Sequence, residues 1–222
     1  MALLANKNTD GEDRFTTDFH FPTSKKALLI FTRNPELGKC KTRLAATVGD
    51  EKALEIYVFL LKHTVEITKS LAVDKFVFYS ENVQKEDLWD AEIFRKKAQS
   101  GDDLGFRMEN AFAEMFQAGY EKVIVIGSDM YDLSKTDIDN AFDALNTNDL
   151  VIGPAEDGGY YLLGMKQVHK AVFKNKIWGT NTILEDTLKD LQNKTVAMLE
   201  ERNDVDYYED IKDIAIFKQF IN

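Results

Sequence analysis

An aspartate stands where a buried strand is predicted to end. Residues 123–126 form an unbroken β-branched run, which is too short for a helix and has no polar alternation, so it predicts a central strand buried on both faces. Gly127, Ser128 and Asp129 follow it. Ligands of open α/β sheets bind outside the carboxyl ends of strands, and a carboxylate there is a suitable ligand for Mg²⁺, which takes oxygen ligands and keeps substrate phosphates. The alternative is an aspartate that caps a turn or the next helix.

A basic loop follows a second predicted strand, residues 27–31. Between residues 25 and 43, six residues are basic and one is acidic, although the whole chain carries a net charge of −10. Pro35 and Gly38 favour a loop, and its lysines, arginines and backbone N–H groups could stabilise a polyphosphate. The loop has one glycine, and its Gly-Lys pair is followed by cysteine, so it matches neither the P-loop nor the dinucleotide fingerprint. A solvated basic loop is the alternative.

Glycines mark two more candidate ligand contacts. Gly105 lies in the first turn of a predicted helix, where glycine costs roughly 1 kcal/mol relative to alanine, so it could permit close approach of a ligand. Gly158 and Gly159 lie between two predicted strands and allow positive φ and close backbone approach. A hairpin turn needs only two such residues, whereas this segment also carries Asp157.

Strands and helices alternate around these residues. Apolar spacing predicts helices at 50–71, 134–145 and 182–191, a helix beginning near 102, a short helix within 82–97 and a terminal helix after 206. It predicts strands at 27–31, 75–80, 123–126 and 196–199, and a strand pair within 149–164. This alternation predicts a single α/β domain with a mainly parallel sheet and an antiparallel excursion near Gly159.

Composition limits the class of protein. The chain has 222 residues, of which 44% are hydrophobic and 30% charged, and a pI of about 4.9. An acidic chain is a poor candidate for binding nucleic acid, and no apolar run reaches the length of a membrane span. The start lacks the pattern of a secretory signal, and the lone Cys40 excludes an internal disulfide. These features predict a cytoplasmic protein.

The chain divides into an arm and a domain. Residues 1–25 are polar and aperiodic, which predicts a flexible arm, although this segment could instead cover a partner surface or a sheet edge. Residues 26–222 are predicted to form the folded domain.

Several motifs recur together over residues 27–216: Arg33-x-Pro-x-x-Gly38-x-x-Lys41-Thr-Arg43-Leu, Gly101-x-Asp-Leu-Gly105-x-Arg107-Met, Gly127-Ser128-Asp129, Gly153-Pro-Ala-x-Asp157-Gly158-Gly159-Tyr160, Trp178-x-Thr180 and Asp204-Val-Asp206. This set resembles the Transferase-1 group, associated with radical-SAM and selenium-type clusters, of the nucleotide-diphospho-sugar transferase superfamily. It is more distantly similar to phospholactate and molybdenum-cofactor guanylyltransferases. The group usually has proline two residues after the aspartate, where this chain has Tyr131.

The resemblance implies a glycosyltransferase-A-like three-layer sandwich, with a mainly parallel mixed sheet, that binds a nucleotide or nucleotide-sugar and a small acceptor. It implies that Asp129 and Asp206 bind Mg²⁺ (or Mn²⁺) on the nucleotide phosphates and that Lys41 and Arg43 stabilise phosphate charge. The nucleotide-binding residues would be Arg33, Gly38, Lys41, Arg43, Gly105, Arg107 and Ser128. The acceptor would lie near Asp157, a candidate base or clamp, and near Gly158, Gly159, Tyr160, Trp178 and Thr180.

Three functions remain open at this point. Glycosyl transfer from a nucleotide-sugar is placed first, following the family resemblance. Nucleotidyl transfer from a nucleoside triphosphate to a phosphorylated small molecule is favoured by the Lys41–Arg43 loop and by the missing D-x-D at Asp129. The third is a non-catalytic nucleotide-binding protein. The sequence does not indicate the nucleotide, the acceptor or the oligomeric state.

Overall fold

The computed structural model of the protein describes residues 21–221. The strands are β1 (Lys26–Thr32), β2 (Asp74–Tyr79), β3 (Phe94–Ala98), β4 (Lys122–Ile126), β5 (Leu150–Pro154), β6 (Tyr160–Met165) and β7 (Val196–Met198). The helices are α1 (Thr42–Val48), α2 (Asp50–Thr68), α3 (Leu104–Gln117), α4 (Lys135–Ala144), α5 (Ile183–Asp190) and α6 (Lys218–Ile221). Short 3₁₀ turns occur at Lys170–Val172, Tyr208–Asp210 and Ala215–Phe217.

All these strands form one mixed sheet. Its strand order is β3-β2-β1-β4-β6-β5-β7, and β6 alone runs against its neighbours β4 and β5. The tight turn between β5 and β6 supplies the antiparallel excursion predicted near Gly159. The predicted α/β class and the mainly parallel sheet are therefore confirmed.

Alternate residues of the central strands pack into two hydrophobic layers, one on each face of the sheet. On β1, Leu28 and Ile30 pack on one face of the sheet, and Ala27 and Leu29 pack on the other. A third, smaller cluster joins α1 and α2 to the C-terminal segment through Leu44 and other apolar residues. The helices thus cover both faces of the sheet, which explains why its central strands are unbroken apolar runs.

Local capping explains where two helices begin. The Asp103 side chain accepts a hydrogen bond of 2.8 Å from the backbone N–H of Phe106, which caps α3. Ser134 and Asp137 form a reciprocal capping box at the start of α4.

Two predicted elements are wrong. Residues 82–93 contain no helix, and the segment instead leads into the edge strand β3. β3 has charged residues at three of its five positions (FRKKA), so its sequence lacks the apolar alternation of a half-buried strand. The terminal helix is also shorter than predicted, since 3₁₀ turns replace most of it and α6 covers only Lys218–Ile221.

Most of the predicted N-terminal arm lies outside the described residues. Of the part that is described, Phe21 is exposed, whereas Thr23 donates its backbone N–H to Asp74 at 2.8 Å. Tyr120 donates its hydroxyl to the same carboxylate at 2.6 Å. These bonds attach residue 23 to β2. No helix among residues 21–221 is long and apolar enough to cross a membrane.

Candidate active site at the carboxyl ends of β1 and β4

The basic loop and Asp129 meet at a topological switch point. β1 and β4 are parallel neighbours, with Ile30 opposite Ile126, so the segments that leave their carboxyl ends start side by side. From β1 the chain continues to β2 on one side of it, whereas β4 lies on the other side. Crevices at such points are the usual ligand sites of open α/β sheets.

A tyrosine from α2 ties the two strand ends together. The Tyr57 hydroxyl accepts a 3.0 Å hydrogen bond from the backbone N–H of Arg33 and lies 3.4 Å from the Ser128 hydroxyl. Ser128 in turn donates to Thr32 Oγ1 at 3.1 Å. Burial raises the pKa of Tyr57, so the phenol stays protonated at neutral pH. The network fixes the start of the basic loop relative to Asp129.

Lys41 holds two carboxylates together. Its ammonium lies 2.8 Å from Asp129 Oδ2 and 3.2 Å from Asp206 Oδ1, and only 5% of its side chain is exposed. Burial opposes the charge of Lys41, but the two carboxylates outweigh it and raise the pKa of Lys41 above its ordinary value. Lys41 has a φ of 50°, in the left-handed region, directly before α1. This uncommon backbone for a non-glycine residue belongs to the turn that presents its side chain to the strand ends.

Asp206 lies on a turn organised by Asp210. The Asp210 carboxylate accepts hydrogen bonds from the backbone N–H groups of Asp206 (2.8 Å) and Tyr207 (2.6 Å). It also accepts one from the Asn203 side chain at 2.7 Å. Arg43 donates to Asp206 Oδ2 at 2.7 Å. The turn therefore presents Asp206 to both cations of the basic loop.

Asp204 brings a further carboxylate to the site. Burial and the nearby Asp129 carboxylate raise its pKa to about 6, although Lys41 opposes this shift. Asp204 lines the smaller of the two cavities described below. The sequence predicts no role for Asp204, because clustered acids before a helix usually reflect the helix dipole alone.

The donor set suits a magnesium ion. Asp129 and Asp206 both contact the Lys41 ammonium, so their oxygens already converge on one cation. Mg²⁺ is commonly held by one or two carboxylates together with substrate phosphates and water. Among residues 21–221, no group of three or more histidine, cysteine, aspartate or glutamate side chains is arranged as a metal site. The residues thus fit a metal that is bound jointly with a nucleotide.

The larger cavity of the site has a volume of about 750 Å³ and is mainly polar. Its walls contain much of the basic loop, both ends of the Tyr57 network and the start of α3. The residues that line it include Arg33, Lys39, Lys41, Arg43, Tyr57, Ser80, Glu81, Gln99, Arg107, Ser128, Asp129 and Asp206. Arg107 is held in place by hydrogen bonds to the Gly101 carbonyl (3.0 Å) and Gln99 Oε1 (3.4 Å).

A smaller cavity of about 250 Å³ adjoins the larger one. Both are lined by Phe31, Leu104, Gly127 and Asp129. The other residues of the smaller cavity include Met108, Met130, Asp157, Gly159, Tyr160, Trp178, Thr180, Ile183 and Asp204. Asp129 therefore stands between a polar and a largely apolar compartment.

Two glycines shape the smaller cavity through protein packing. A Cβ at Gly105 would lie 2.5 Å from Nε1 of Trp178, so glycine makes room for the indole. The sequence suggested that Gly105 borders a nucleotide; the close approach it permits in the structure is that of Trp178. Gly158 has a φ of +85°, and a Cβ there would lie 2.1 Å from the Asn181 carbonyl oxygen. The Gly158 carbonyl also accepts a 2.9 Å hydrogen bond from Leu184 N–H, which docks the turn on α5.

Tyr160 and Asp157 flank that turn. Asp157 Oδ1 accepts a 2.8 Å hydrogen bond from the backbone N–H of Gly159. Tyr160 meets Trp178 edge to face, with ring centroids 6.4 Å apart. Burial raises the pKa of Tyr160, although the neighbouring Thr187 side chain opposes this shift. The phenol therefore adds no charge to the wall.

The structure brings most of the predicted site residues together. Those assigned to the nucleotide line the larger cavity, except Gly38 and Gly105, and those assigned to the acceptor line the smaller one, except Gly158. Gly38 has a positive φ in the basic loop, as Lys41 does. Sequence reasoning missed Tyr57, Asp204 and Asp210. Only Asp204 had a usable signal, its place in the Asp-Val-Asp motif with Asp206.

Tyr131, which stands where the related group usually has proline, faces away from both cavities. Its ring packs against Phe59, Phe217 and His63, with centroids 5.9, 5.1 and 5.3 Å apart. These contacts fasten the segment after Asp129 to α2 and to the C-terminal turns. Packing of the Tyr131 side chain therefore holds this segment in place, where the related group usually has the rigid ring of a proline.

The fold is shared with known transferases. A protein of Desulfovibrio desulfuricans G20, provisionally described as a nucleotide-diphospho-sugar transferase, is 32% identical, with 83% of each chain covered and a TM-score of 0.76. A 4-diphosphocytidyl-2C-methyl-D-erythritol synthase of Anaerococcus prevotii DSM 20548 is 11% identical over 88% of this chain and 97% of its own, with a TM-score of 0.54. A cytidylyltransferase of Leptospira borgpetersenii is 15% identical over 86% and 84%, with a TM-score of 0.54. The last two comparisons show the fold alone.

Sequence comparison gives the family. No curated protein sequence matches the chain significantly. Residues 63–180, which include Gly105, Asp129 and the Gly158-Gly159 turn, match the profile of a bacterial family described as "Uncharacterized protein conserved in bacteria (DUF2064)". Together with the 32% identity to the Desulfovibrio protein over most of both chains, this match shows that the chain belongs to the DUF2064 family.

Proposed function

We propose that this protein is a metal-dependent transferase that moves a glycosyl group from a nucleotide-sugar to a small acceptor. The observation that carries the proposal is the position of Asp129 between two cavities of different character. A transferase needs two substrates to meet at the group that is transferred. The larger, polar cavity suits a nucleotide, and the smaller cavity suits the acceptor.

Charge supports the assignment of the larger cavity. Lys41 and Arg43 of the basic loop line this cavity together with Ser128, which follows the neighbouring strand β4. Side chains held in fixed positions stabilise developing phosphate charge without reorganising during the reaction. The relative from Desulfovibrio desulfuricans G20, with its provisional description as a nucleotide-diphospho-sugar transferase, supports the same class of donor.

The chemical step follows from these positions. The acceptor oxygen would form a bond to the anomeric carbon while the bond from that carbon to the phosphate oxygen breaks, and the nucleoside diphosphate would leave. Asp157, on the wall of the smaller cavity, would take the acceptor proton or hold the acceptor. Lys41 and Arg43 would stabilise the negative charge of the leaving diphosphate. A Mg²⁺ ion held by Asp129 and Asp206 would neutralise further charge on the same phosphates.

Nucleotidyl transfer is the second candidate. The basic loop that ends in Lys41 and Arg43 could equally stabilise a triphosphate, and the fold is shared with cytidylyltransferases. In that reaction the acceptor would attack the α-phosphorus of a nucleoside triphosphate and pyrophosphate would leave. The two reactions differ in their donor and in their released product, so both can be measured.

Thermal unfolding with a panel of nucleotide-sugars and nucleoside triphosphates, each in Mg²⁺ and in EDTA, tests the proposal. A ligand present at 100 times its dissociation constant stabilises the native state by roughly 2.7 kcal/mol. We expect stabilisation by one nucleotide-sugar, lost in EDTA and in Asp129→Asn. Asp139→Asn is the matched control, because about half of the Asp139 side chain is exposed and it pairs only with Lys135 among the described residues.

The outcomes separate the candidates. Stabilisation mainly by a triphosphate, followed by pyrophosphate release when an acceptor is added, would put nucleotidyl transfer first. Stabilisation without turnover of any donor would favour the non-catalytic nucleotide-binding protein. The absence of any shift across the panel would reject a nucleotide site altogether.

A further inference from the structure

The residues that line the smaller cavity indicate the chemical class of the molecule that it binds. We infer that the cavity binds an acceptor with an apolar body and an uncharged or cationic nucleophile, a hydroxyl or an amine, and that it discriminates against phosphorylated and carboxylated acceptors. This inference rests on the proposed function, because it takes the larger cavity as the donor site. It adds the chemical class of the second substrate.

The side chains that line the smaller cavity favour an acceptor with an apolar body. Aliphatic and aromatic side chains from several elements form most of the surface, among them Phe31, Leu104, Met108, Met130, Trp178 and Ile183. A volume of about 250 Å³ lies just below the usual range of roughly 300–1,000 Å³ for small-molecule pockets, so the cavity suits a small ligand. Such a compartment gains affinity by burying an apolar group of that size.

The charged residues that line the smaller cavity determine which charge the nucleophilic group of the acceptor can carry. Asp129, Asp157 and Asp204 all line this cavity, whereas no lysine, arginine or histidine among the described residues does. Lys41 contacts Asp129, and Lys41 and Arg43 contact Asp206, from the side of the larger cavity. The basic loop therefore leaves Asp157 and Asp204 without an ion-pair partner within residues 21–221.

Two carboxylates facing one compartment have a clear consequence for ligands. They accept hydrogen bonds from hydroxyl or ammonium donors, and they repel a phosphate or carboxylate in the same space. A Mg²⁺ ion bound by Asp129 and Asp206 would offset those two residues, which already share the basic loop. Asp157 and Asp204 would still face the acceptor.

Three compounds with the same ring isolate this property. Cyclohexylmethanol, cyclohexylmethylamine and cyclohexylmethyl phosphate differ only in the head group. Binding to the full-length protein is followed by saturation-transfer NMR and by the fluorescence of Trp178, without nucleotide. We expect the alcohol and the amine to bind at least about tenfold more tightly than the phosphate ester, because the ester brings a like charge to the carboxylates.

Variants locate the effect. In the double variant Asp157→Asn/Asp204→Asn, we expect the phosphate ester to gain affinity about tenfold and the amine to lose a similar factor, while the alcohol changes little. Asp139→Asn, which removes one acidic charge from the exposed face of α4, should leave all three affinities unchanged. The fluorescence response should disappear in Trp178→Phe, in which Trp89 supplies the remaining emission.

Each result bears on the inference separately from the proposed function. Equal or tighter binding of the phosphate ester to the wild-type protein would overturn it, as would a fluorescence response that persists in Trp178→Phe. Failure of all three compounds to bind at millimolar concentrations would show that the cavity is not an acceptor site for apolar molecules. Nucleotide binding in the larger cavity, measured by thermal unfolding, would stand or fall independently.

Discussion

Replacing Lys41 by methionine should raise the affinity of the nucleotide-free protein for a divalent cation. The ammonium now lies 2.8 Å from Asp129 and 3.2 Å from Asp206, the residues that would bind the metal. A cation that enters between these carboxylates must first displace the ammonium. Methionine keeps a long side chain and removes that competitor. Under the proposed function, Lys41 would oppose metal binding until a nucleotide offered it phosphates instead.

The size of the effect follows from the geometry. Two unit charges 4 Å apart interact by about 4 kcal/mol at an effective dielectric constant of about 20. The carboxylates are 34% and 30% exposed, so solvent screens part of this energy, and we take about half of it, about 2 kcal/mol, as the cost of displacing Lys41. That energy corresponds to about a 30-fold change in a dissociation constant.

Mn²⁺ titration followed by electron paramagnetic resonance measures this change directly, without substrates. Lys39→Met is the matched control, because Lys39 lies in the same loop, carries the same charge, is itself exposed and pairs with the half-buried Glu36 at 2.6 Å. We expect Lys39→Met to change Mn²⁺ affinity by less than about twofold. Unchanged or weaker Mn²⁺ binding in Lys41→Met would refute the idea that Asp129 and Asp206 form a cation site occupied by Lys41.

Three further predictions concern stability. Because the pKa of Asp204 is about 6 in the folded protein against an ordinary 3.8, its ionised form costs stability above pH 6. In EDTA at pH 8, the free energy of unfolding of Asp204→Asn, measured in urea, should therefore exceed that of the wild type by about 1–3 kcal/mol. The two free energies should converge toward pH 4. Asp210→Ala should lower the free energy of unfolding in urea by about 2–3 kcal/mol, because charge-assisted hydrogen bonds are lost. It should also weaken Mn²⁺ binding, which calorimetry would detect. The control Asp213→Asn, at an exposed neighbouring residue, should change neither quantity. Gly105→Ala should destabilise the protein by about 1–3 kcal/mol by displacing the Trp178 indole, which its fluorescence would report.

The central sheet could be predicted because its strands are buried on both faces. The runs at 27–31 and 123–126 have no polar residue, and only a central strand in this setting explains them. β3 could not be predicted, since its charged side chains suit an edge strand and only Phe94 is fully buried. The edge position is a property of the whole sheet, which local spacing does not encode.

The site could be predicted in part for similar reasons. Asp129 and the basic loop follow buried strands, so the general rule for parallel sheets brought them together. Tyr57 reads as one more apolar residue of α2, and its hydroxyl contacts depend on how α2 packs across the strand ends. Asp210 reads as one acid among several, and its role depends on a turn that the sequence alone does not define. Lys41 was predicted to contact phosphates, but its present partners become visible only in three dimensions.

The ion pair between Lys41 and Asp206 joins residues 165 positions apart in the chain. A contact of that separation pays a large loop-closure entropy and tends to form late in folding. The strands β1 to β7 all precede Asp206 in the chain, so the sheet can assemble before this carboxylate reaches the basic loop. Until the C-terminal turn docks, Lys41 lacks one of its two carboxylate partners, and Arg43 lacks its contact with Asp206. The complete set of contacts among Lys41, Arg43, Asp129 and Asp206 therefore requires the C-terminal turn to dock. Under the proposed function, a folding intermediate that lacks this docking would bind Mn²⁺ weakly even with its sheet formed.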